Sequence, residues 1–325
     1  MKKRCSTTVL SAKDNWLRNA LFVFTLLIVF AGSSFGQCDP NTIDKCELGL
    51  NSPLQATWHA QIVKTPVGYS LAGQNLATNG SGNQLTLTAI PSAGYTMPAN
   101  VFPVWGAIGG RTQVVFLGSN GTIYAVGDEG SLIDAGRTSS TAWGATTLPL
   151  PAGVTACDVA KWEGTADNGG AGFLVFMTYS GVLYITGPNA TSVRAGATSN
   201  IFNTVTLPTG VTAVDFAVGY RTLLILGSNG NLYASGDQMY RGNATGSINQ
   251  TTPLVLVTQP PTSVAGLGGI QQIEAGRSSY YVLDVDGTIH VLGENSDGQL
   301  GDNTTTDRTS WTKVGAGGCS GGVLD

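Results

Sequence analysis

The stretch GSNGNLYASGD (Gly227–Asp237) decides how this chain is read, because GSNGTIYAVGD (Gly118–Asp128) stands 109 residues before it and matches at eight of eleven positions. The phrase holds no histidine, cysteine or lysine that an active site would need twice. In looser form it occurs four times: NGTIYAVGD from Asn120, SGVLYITGP from Ser180, NGNLYASGD from Asn229 and DGTIHVLGE from Asp286. The shared frame is a polar residue, glycine, any residue, Ile or Leu, an aromatic ring, two residues and glycine. Gly121, Gly181, Gly230 and Gly287 are each followed six positions later by Gly127, Gly187, Gly236 and Gly293, and the copies start 60, 49 and 57 residues apart.

Asn-Gly or Asp-Gly between two apolar strands is a strong signal for a two-residue hairpin, here expected as type I′ with both turn residues at positive φ. A further glycine lies eleven residues before the turn in three copies, at Gly110, Gly219 and Gly276, and marks a second turn. A longer echo, LPAGVTACDVA from Leu150 against LPTGVTAVDFA from Leu207, adds a strand leading into the unit. Units of about 50 residues with three or four short strands each are the mark of a β-propeller, so the expected fold is all-β, with four clear blades.

Composition agrees. The 325 residues are 42% hydrophobic and 11% charged, with 45 glycines. An average soluble domain carries about 25% charged residues. A surface made of Gly, Ser, Thr and Asn suits short strands and tight turns better than helices. Lys2, Lys3, Arg4, Lys13 and Arg18 precede the apolar run ALFVFTLLIVFAG (Ala20–Gly32), which reads as a secretory signal peptide over residues 1–36. The 13-residue run is shorter than the roughly 20 residues of a membrane-spanning helix, and the expected location is extracellular, secreted or on the cell surface. Beyond residue 36 the chain has 11 basic against 19 acidic residues, a net charge of −8, which disfavours nucleic acid. Cys38 and Cys46 are the favoured disulfide pair in an exported protein, and Cys157 in an apolar stretch reads as a buried thiol. No pair has the C-x-x-C spacing of a zinc ribbon or dithiol site, and no metal or cofactor is expected.

The repeat resembles the regulator of chromosome condensation family, whose unit reads G-x-x-H-x-x-x-L-x-x-D-G-x-V-Y-x-W-G-x-N-x-x-G-Q-L-G. The last copy matches best, since DVDGTIHVLGENSDGQLGDNTTTDRTSW (Asp284–Trp311) carries both the hairpin and the loop after it. GSNGNLYASGDQMYRGNATG keeps part of that loop, and the first two copies keep the hairpin alone. The resemblance covers about residues 99–318 and implies a β-propeller over 99–325, its ring either closed by these blades or incomplete; in the N-terminal segment spanning 37–98, YSLAGQNLATNGSGNQLTL (Tyr69–Leu87) is the candidate for a degenerate fifth unit. The nucleotide-exchange and chromatin roles of nuclear members do not carry over to an exported, acidic chain without the wedge insertion. The photoreceptor phrase GWRHT has lost its tryptophan here, at Tyr220 beside Gly219, Arg221 and Thr222.

Catalysis finds little support. The histidines are His59, alone in ATWHAQI, and His290, which holds the position of Tyr124, Tyr184 and Tyr233 and reads as packing. DVDG (Asp284–Gly287) reads as a turn, not a calcium loop. What remains is binding through the loop rim. The candidates are Arg111, Tyr220, Arg221, Arg277 and Ser278 beside the repeated glycines, and Trp162, Tyr240 and Arg241 in loops. The expected function is a secreted, non-enzymatic propeller binding a protein or a glycan, with an enzyme inhibitor as one version that the resemblance implies. The alternative is an adhesin module of a longer surface array.

Overall fold

The computed structural model describes residues 54–56, 60–65, 68–78, 82–108, 113–127, 141–166, 172–187, 190, 197, 201–219, 222–236, 255–256, 269–276, 279–285 and 287–314. They build five four-stranded antiparallel sheets. The first holds β1 (Leu54–Ala56), β2 (Ala60–Thr65), β3 (Gly68–Gly73) and β4 (Gln84–Ile90). The second holds β5 (Pro103–Ile108), β6 (Gln113–Gly118), β7 (Ile123–Gly127) and β8 (Thr141–Ala145). The third holds β9 (Val159–Ala166), β10 (Gly172–Thr178), β11 (Leu183–Thr186) and β12 (Asn203–Val205). The fourth holds β13 (Ala213–Gly219), β14 (Thr222–Gly227), β15 (Leu232–Gly236) and β16 (Val255–Leu256), and the fifth β17 (Ile270–Ala275), β18 (Ser279–Asp284), β19 (Ile289–Gly293) and β20 (Arg308–Lys313). In every sheet spatial order follows chain order, as short hairpin connections dictate.

Middle strands such as QVVFLG and TLLILG are apolar at consecutive positions because both of their faces are covered. Each neighbouring pair of sheets shares a buried cluster. Ile62 and Leu71 meet Phe116 and Tyr124, and Leu117 and Ile123 meet Trp162 and Phe176. Phe173 and Val175 meet Phe216 and Ile225, and Leu226 and Leu232 meet Tyr280 and Val282. Each of the three middle blades therefore gives its preceding neighbour one set of residues and its following neighbour the alternate set. His290 lies opposite Val282, in the register where Tyr124 faces Phe116 and Tyr233 faces Ile225, and is buried there. The outer-strand tryptophans seal the seams: Trp143 packs on Tyr95 and Tyr124, and Trp311 joins the cluster between the last two blades.

The repeated phrase is a structural cassette. Gly121 and Gly230 donate to the carbonyls of Gly118 and Gly227, which in turn donate to Thr122 and Asn231. Gly121 has φ +80° and Gly230 +79°, whereas the described non-glycine residues at positive φ are Asn75, Asn100 and Asn303. The loop is therefore a three-residue hairpin closed by a glycine bulge, not the expected type I′ turn. Asn120 and Asn229 keep ordinary φ and use their Oδ1 to accept the N–H of residues 122 and 231, which the bulge leaves free. Ser119 and Ser228 bind the strand entry by exchanging bonds with Phe102 and Thr212.

The opening glycine is fixed by the tyrosine six residues on. A Cβ on Gly227 would lie 2.8 Å from the Tyr233 ring, 2.8 Å from Asn229 Oδ1 and 2.9 Å from Val211, and Gly118 has the same neighbours in Tyr124, Asn120 and Val101. Gly227→Ala is expected to lower stability by about 1–3 kcal/mol, read by urea denaturation, because the overpacked ring has no free space to enter. An unchanged midpoint would show that the ring yields at no cost.

Candidate functional site

The first strands are adjacent from blade to blade: β5 lies against β9, and β13 lies against both β9 and β17. Each carries a bulge near its start, marked by a register shift just before Trp105, Asp215 and Gln272 and around Ala160 in β9. The bulge aligns Trp105, Lys161, Asp215 and Gln272, which lie opposite Leu117, Met177, Leu226 and Leu283. Two residues further, Ala107, Glu163, Ala217 and Glu274 share that face. In the second, third and fourth sheets the side chain after the bulge reaches across to the next blade. Trp105 Nε1 donates to Val159 O at 3.1 Å, and Lys161 Nζ donates to Asp215 Oδ1 at 2.7 Å and Phe216 O at 2.6 Å. Asp215 Oδ2 accepts from Ile273 N at 3.4 Å.

Three blades thus meet in one charged cluster. Lys161 is 3% exposed, and its ammonium also stands 3.0 Å from Glu163. Burial works against the Lys161 charge, but Glu163 and Asp215 outweigh it and hold the ammonium protonated beyond the ordinary lysine range. Burial pushes the Glu163 carboxyl up, Lys161 pulls it back and Glu274 pushes it up again, leaving it at about 7. Gln272 Nε2 donates to Glu274 Oε1 at 2.8 Å. Chemically this is a tether: the ammonium is spent on two carboxylates and a carbonyl, while Glu163 takes up a proton near neutrality.

A raised folded pKa gives Glu163 a definite sign. Its contribution to stability is complete below pH 4.5, falls as pH rises to about 7, and is constant above that. Glu163→Gln should remove on the order of 2–3 kcal/mol of this decline between pH 5 and 7, read from urea midpoints across that range. Parallel curves for the variant and the parent would contradict the assignment.

None of these five polar side chains stood out in the sequence. The discernible signal was VAKWEGTA, charges at alternate positions in an otherwise apolar strand. Of the residues expected at a binding rim, Trp162 is not in a loop: it lies in β9, 1% exposed, stacked on Phe176 at 5.7 Å and tilted against Phe202. It alternates with Lys161 and Glu163 and so points to the preceding blade. Arg111, Tyr220, Arg221, Tyr240, Arg241, Arg277 and Ser278 lie outside the described residues, as do His59, Cys38 and Cys46. The described residues flanking those loops share one end of the blades. Ile108 pairs with Val114, Gly219 with Thr222, and Ala275 with Tyr280, while Thr222 pairs with Gly236 where the Tyr240 loop departs. Cys157 is not a buried thiol: it is exposed on a short 3-10 turn (Ala156–Asp158) and disulfide-bonded. Among the described residues no group of three or more His, Cys, Asp or Glu side chains could hold a metal ion.

The loop after the last hairpin is also structural. Asn295 is buried at its centre, donating from Nδ2 to Asp302 and to Thr304 O, each at 2.9 Å, and accepting Leu300 N at 2.9 Å. Thr304 first, then Arg308 and Asn295, hold the Asp302 carboxyl down at about 2.

No protein-family model and no curated protein matches the chain. Solved structures do. Human WBSCR16 aligns at 19% identity and TM-score 0.58 over 79% of this chain and 65% of that one. Yeast RCC1 (Prp20), solved bound to Kap60, aligns at 16% identity and TM-score 0.59 over 80% and 60%. Prp20p from Saccharomyces cerevisiae aligns at 18% identity and TM-score 0.57 over 80% and 62%. The chain thus spans 60–65% of the length of these structures. At such identities the likeness speaks to fold alone, and the fold is an all-β propeller built of RCC1-like blades.

Proposed function

We propose that this chain is exported and acts as a non-enzymatic binding module that takes hold of an extracellular protein through the loops at one end of its blades. The observation that carries this reading is the shared origin of the candidate loops. The connections containing Arg111, Tyr220 with Arg221, Tyr240 with Arg241, and Arg277 with Ser278 all spring from strand ends on the same side. The blade faces at the four internal seams are consumed in packing on one another, and the charged cluster is committed to tethering. Loops on a rigid scaffold are where binding residues gather, and Arg and Tyr are favoured at interface hot spots. Among the structures of like fold, yeast RCC1 was solved with Kap60, and Prp20p was studied for binding to Gsp1p and histones; those partners belong to those proteins. The net charge of −8 beyond residue 36 points away from nucleic acid.

The test uses the parent protein and a variant with Arg111, Arg221, Arg241 and Arg277 changed to Ala, each immobilised and offered the extracellular proteins of the source. The retained protein is purified and titrated directly, and the variant should bind it about 10-fold more weakly or worse. Equal affinity for both proteins, or no retained protein, would overturn the rim reading. N-terminal sequencing checks export separately: a mature chain starting at Gln37 is expected, and an intact start at Met1 would sink that half.

A further inference from the structure

The four internal seams follow one rule, and the two end sheets leave it half used. In the second and fourth sheets the face toward the following blade carries Leu117 opposite Ile123 and Leu226 opposite Leu232, all at most 3% exposed because the next sheet covers them. In the fifth sheet Leu283 opposite Ile289 holds the same register, and both residues are only half-buried. That face also carries Gln272 and Glu274 at the positions from which Lys161 and Glu163 act in the third sheet, and here they bond each other. At the other end of the array, Ile62 and Leu71 point to the second sheet, so Val63 and Ser70 point away from it. Leu54 lies opposite Val63 and is 52% exposed, and Leu87 on the same face is 54% exposed, with Leu85 at 85%.

We infer that the outward face of the fifth sheet, around Leu283 and Ile289, docks on the outward face of the first sheet, around Leu54, Val63 and Leu87, of a second copy of this chain. The occupant follows from the seams already present. Each buries a face turned to the following blade against one turned to the preceding blade, and the two ends offer one of each kind. The contact joins two different surfaces, so it is head-to-tail, and a copy engaged at one end keeps the other end free. The end faces are also compatible in charge, since the row Leu54, Val63, Ser70 and Ala89 across the first sheet contains no acidic residue to oppose Glu274.

Sedimentation of the purified chain over a range of concentrations tests this with Leu87→Arg and Ile289→Arg. The parent should gain mass with concentration. Each variant alone should remain a single chain, because all copies lack the same face. An equal mixture should form particles of two chains and stop there, since the first variant keeps an intact fifth sheet and the second an intact first sheet. Should Ile289→Arg not fold by circular dichroism, Leu87→Arg added to the parent takes its place, and it should cap growing particles and lower their mean mass. A parent that stays a single chain throughout overturns the inference. So does a Leu87→Arg variant that associates like the parent, or a folded mixture that stays monomeric while the parent associates.

Discussion

Lys161→Met is expected to lower the stability of the protein by about 3–5 kcal/mol at pH 7.5, because it strips the cation from a buried site and leaves the Asp215 and Glu163 carboxylates without compensation. The side chain fits the space, so lost packing is small and the cost is electrostatic. Its ammonium bonds Asp215 Oδ1 and Phe216 O across a seam between blades, with both ionised side chains 4% exposed. Water therefore has little access to stabilise the orphaned carboxylate. Asp215→Asn supplies the control. It removes the negative charge while its carbonyl oxygen still accepts the Phe216 N–H that Asp215 Oδ1 accepts at 2.8 Å. In that background Lys161→Met should cost less by about 1–3 kcal/mol, the coupling expected of residues in one network. Urea denaturation of the four proteins closes the cycle. Additive effects would mean that the two charges stand side by side without acting on each other.

The reasons this cluster escaped the sequence are specific. The fold was legible because the hairpin cassette is local: Gly118, Asn120, Gly121, Thr122 and Tyr124 act on one another within seven residues, so their selection leaves a repeated word. The tether is non-local, and its residues differ from blade to blade: Trp105, Lys161, Asp215 and Gln272 share a register but no chemistry. The longer echo even conceals it. Aligning LPAGVTACDVA with LPTGVTAVDFA sets Asp158 against Asp215, yet the third blade inserts the 3-10 turn before β9, and Asp158 caps that turn by accepting Thr155 N at 2.7 Å. Lys161, three residues on, takes the register instead. Trp162 was misplaced for a related reason, since an aromatic beside charges reads as a rim residue until strand alternation assigns the charges to one face and the ring to the other. Asn-Gly is compatible with two hairpin loops, and positive φ at Gly121 and Gly230 but not at Asn120 and Asn229 makes this the three-residue one.

Gly181→Ala should be the most damaging of the cassette substitutions, at about 3–4 kcal/mol, because two separate costs fall on one atom. The first is conformational. Gly181 has φ +77°, where a Cβ crowds the backbone by about 1–2 kcal/mol. The second is a seam: the added carbon would lie 2.6 Å from Ala213 O and 2.7 Å from Thr212 Cβ, both at the entry to the next blade, and a backbone carbonyl has no rotamer by which to withdraw. Gly181 O also accepts the Ala213 N–H at 2.9 Å, so relief by moving the turn would break a bond between blades. Gly121→Ala separates the two costs. It stands at the same place in its hairpin with φ +80°, but the nearest atom to its Cβ would be Leu150 Cδ1 at 3.8 Å, an ordinary contact. It should lose only the conformational part, about 1–2 kcal/mol. Urea midpoints for the two variants in parallel decide the matter. A difference of about 2 kcal/mol would confirm that the turn of the third blade bears on the fourth, whereas equal losses would mean that positive φ accounts for both glycines and that the seam at Ala213 yields freely.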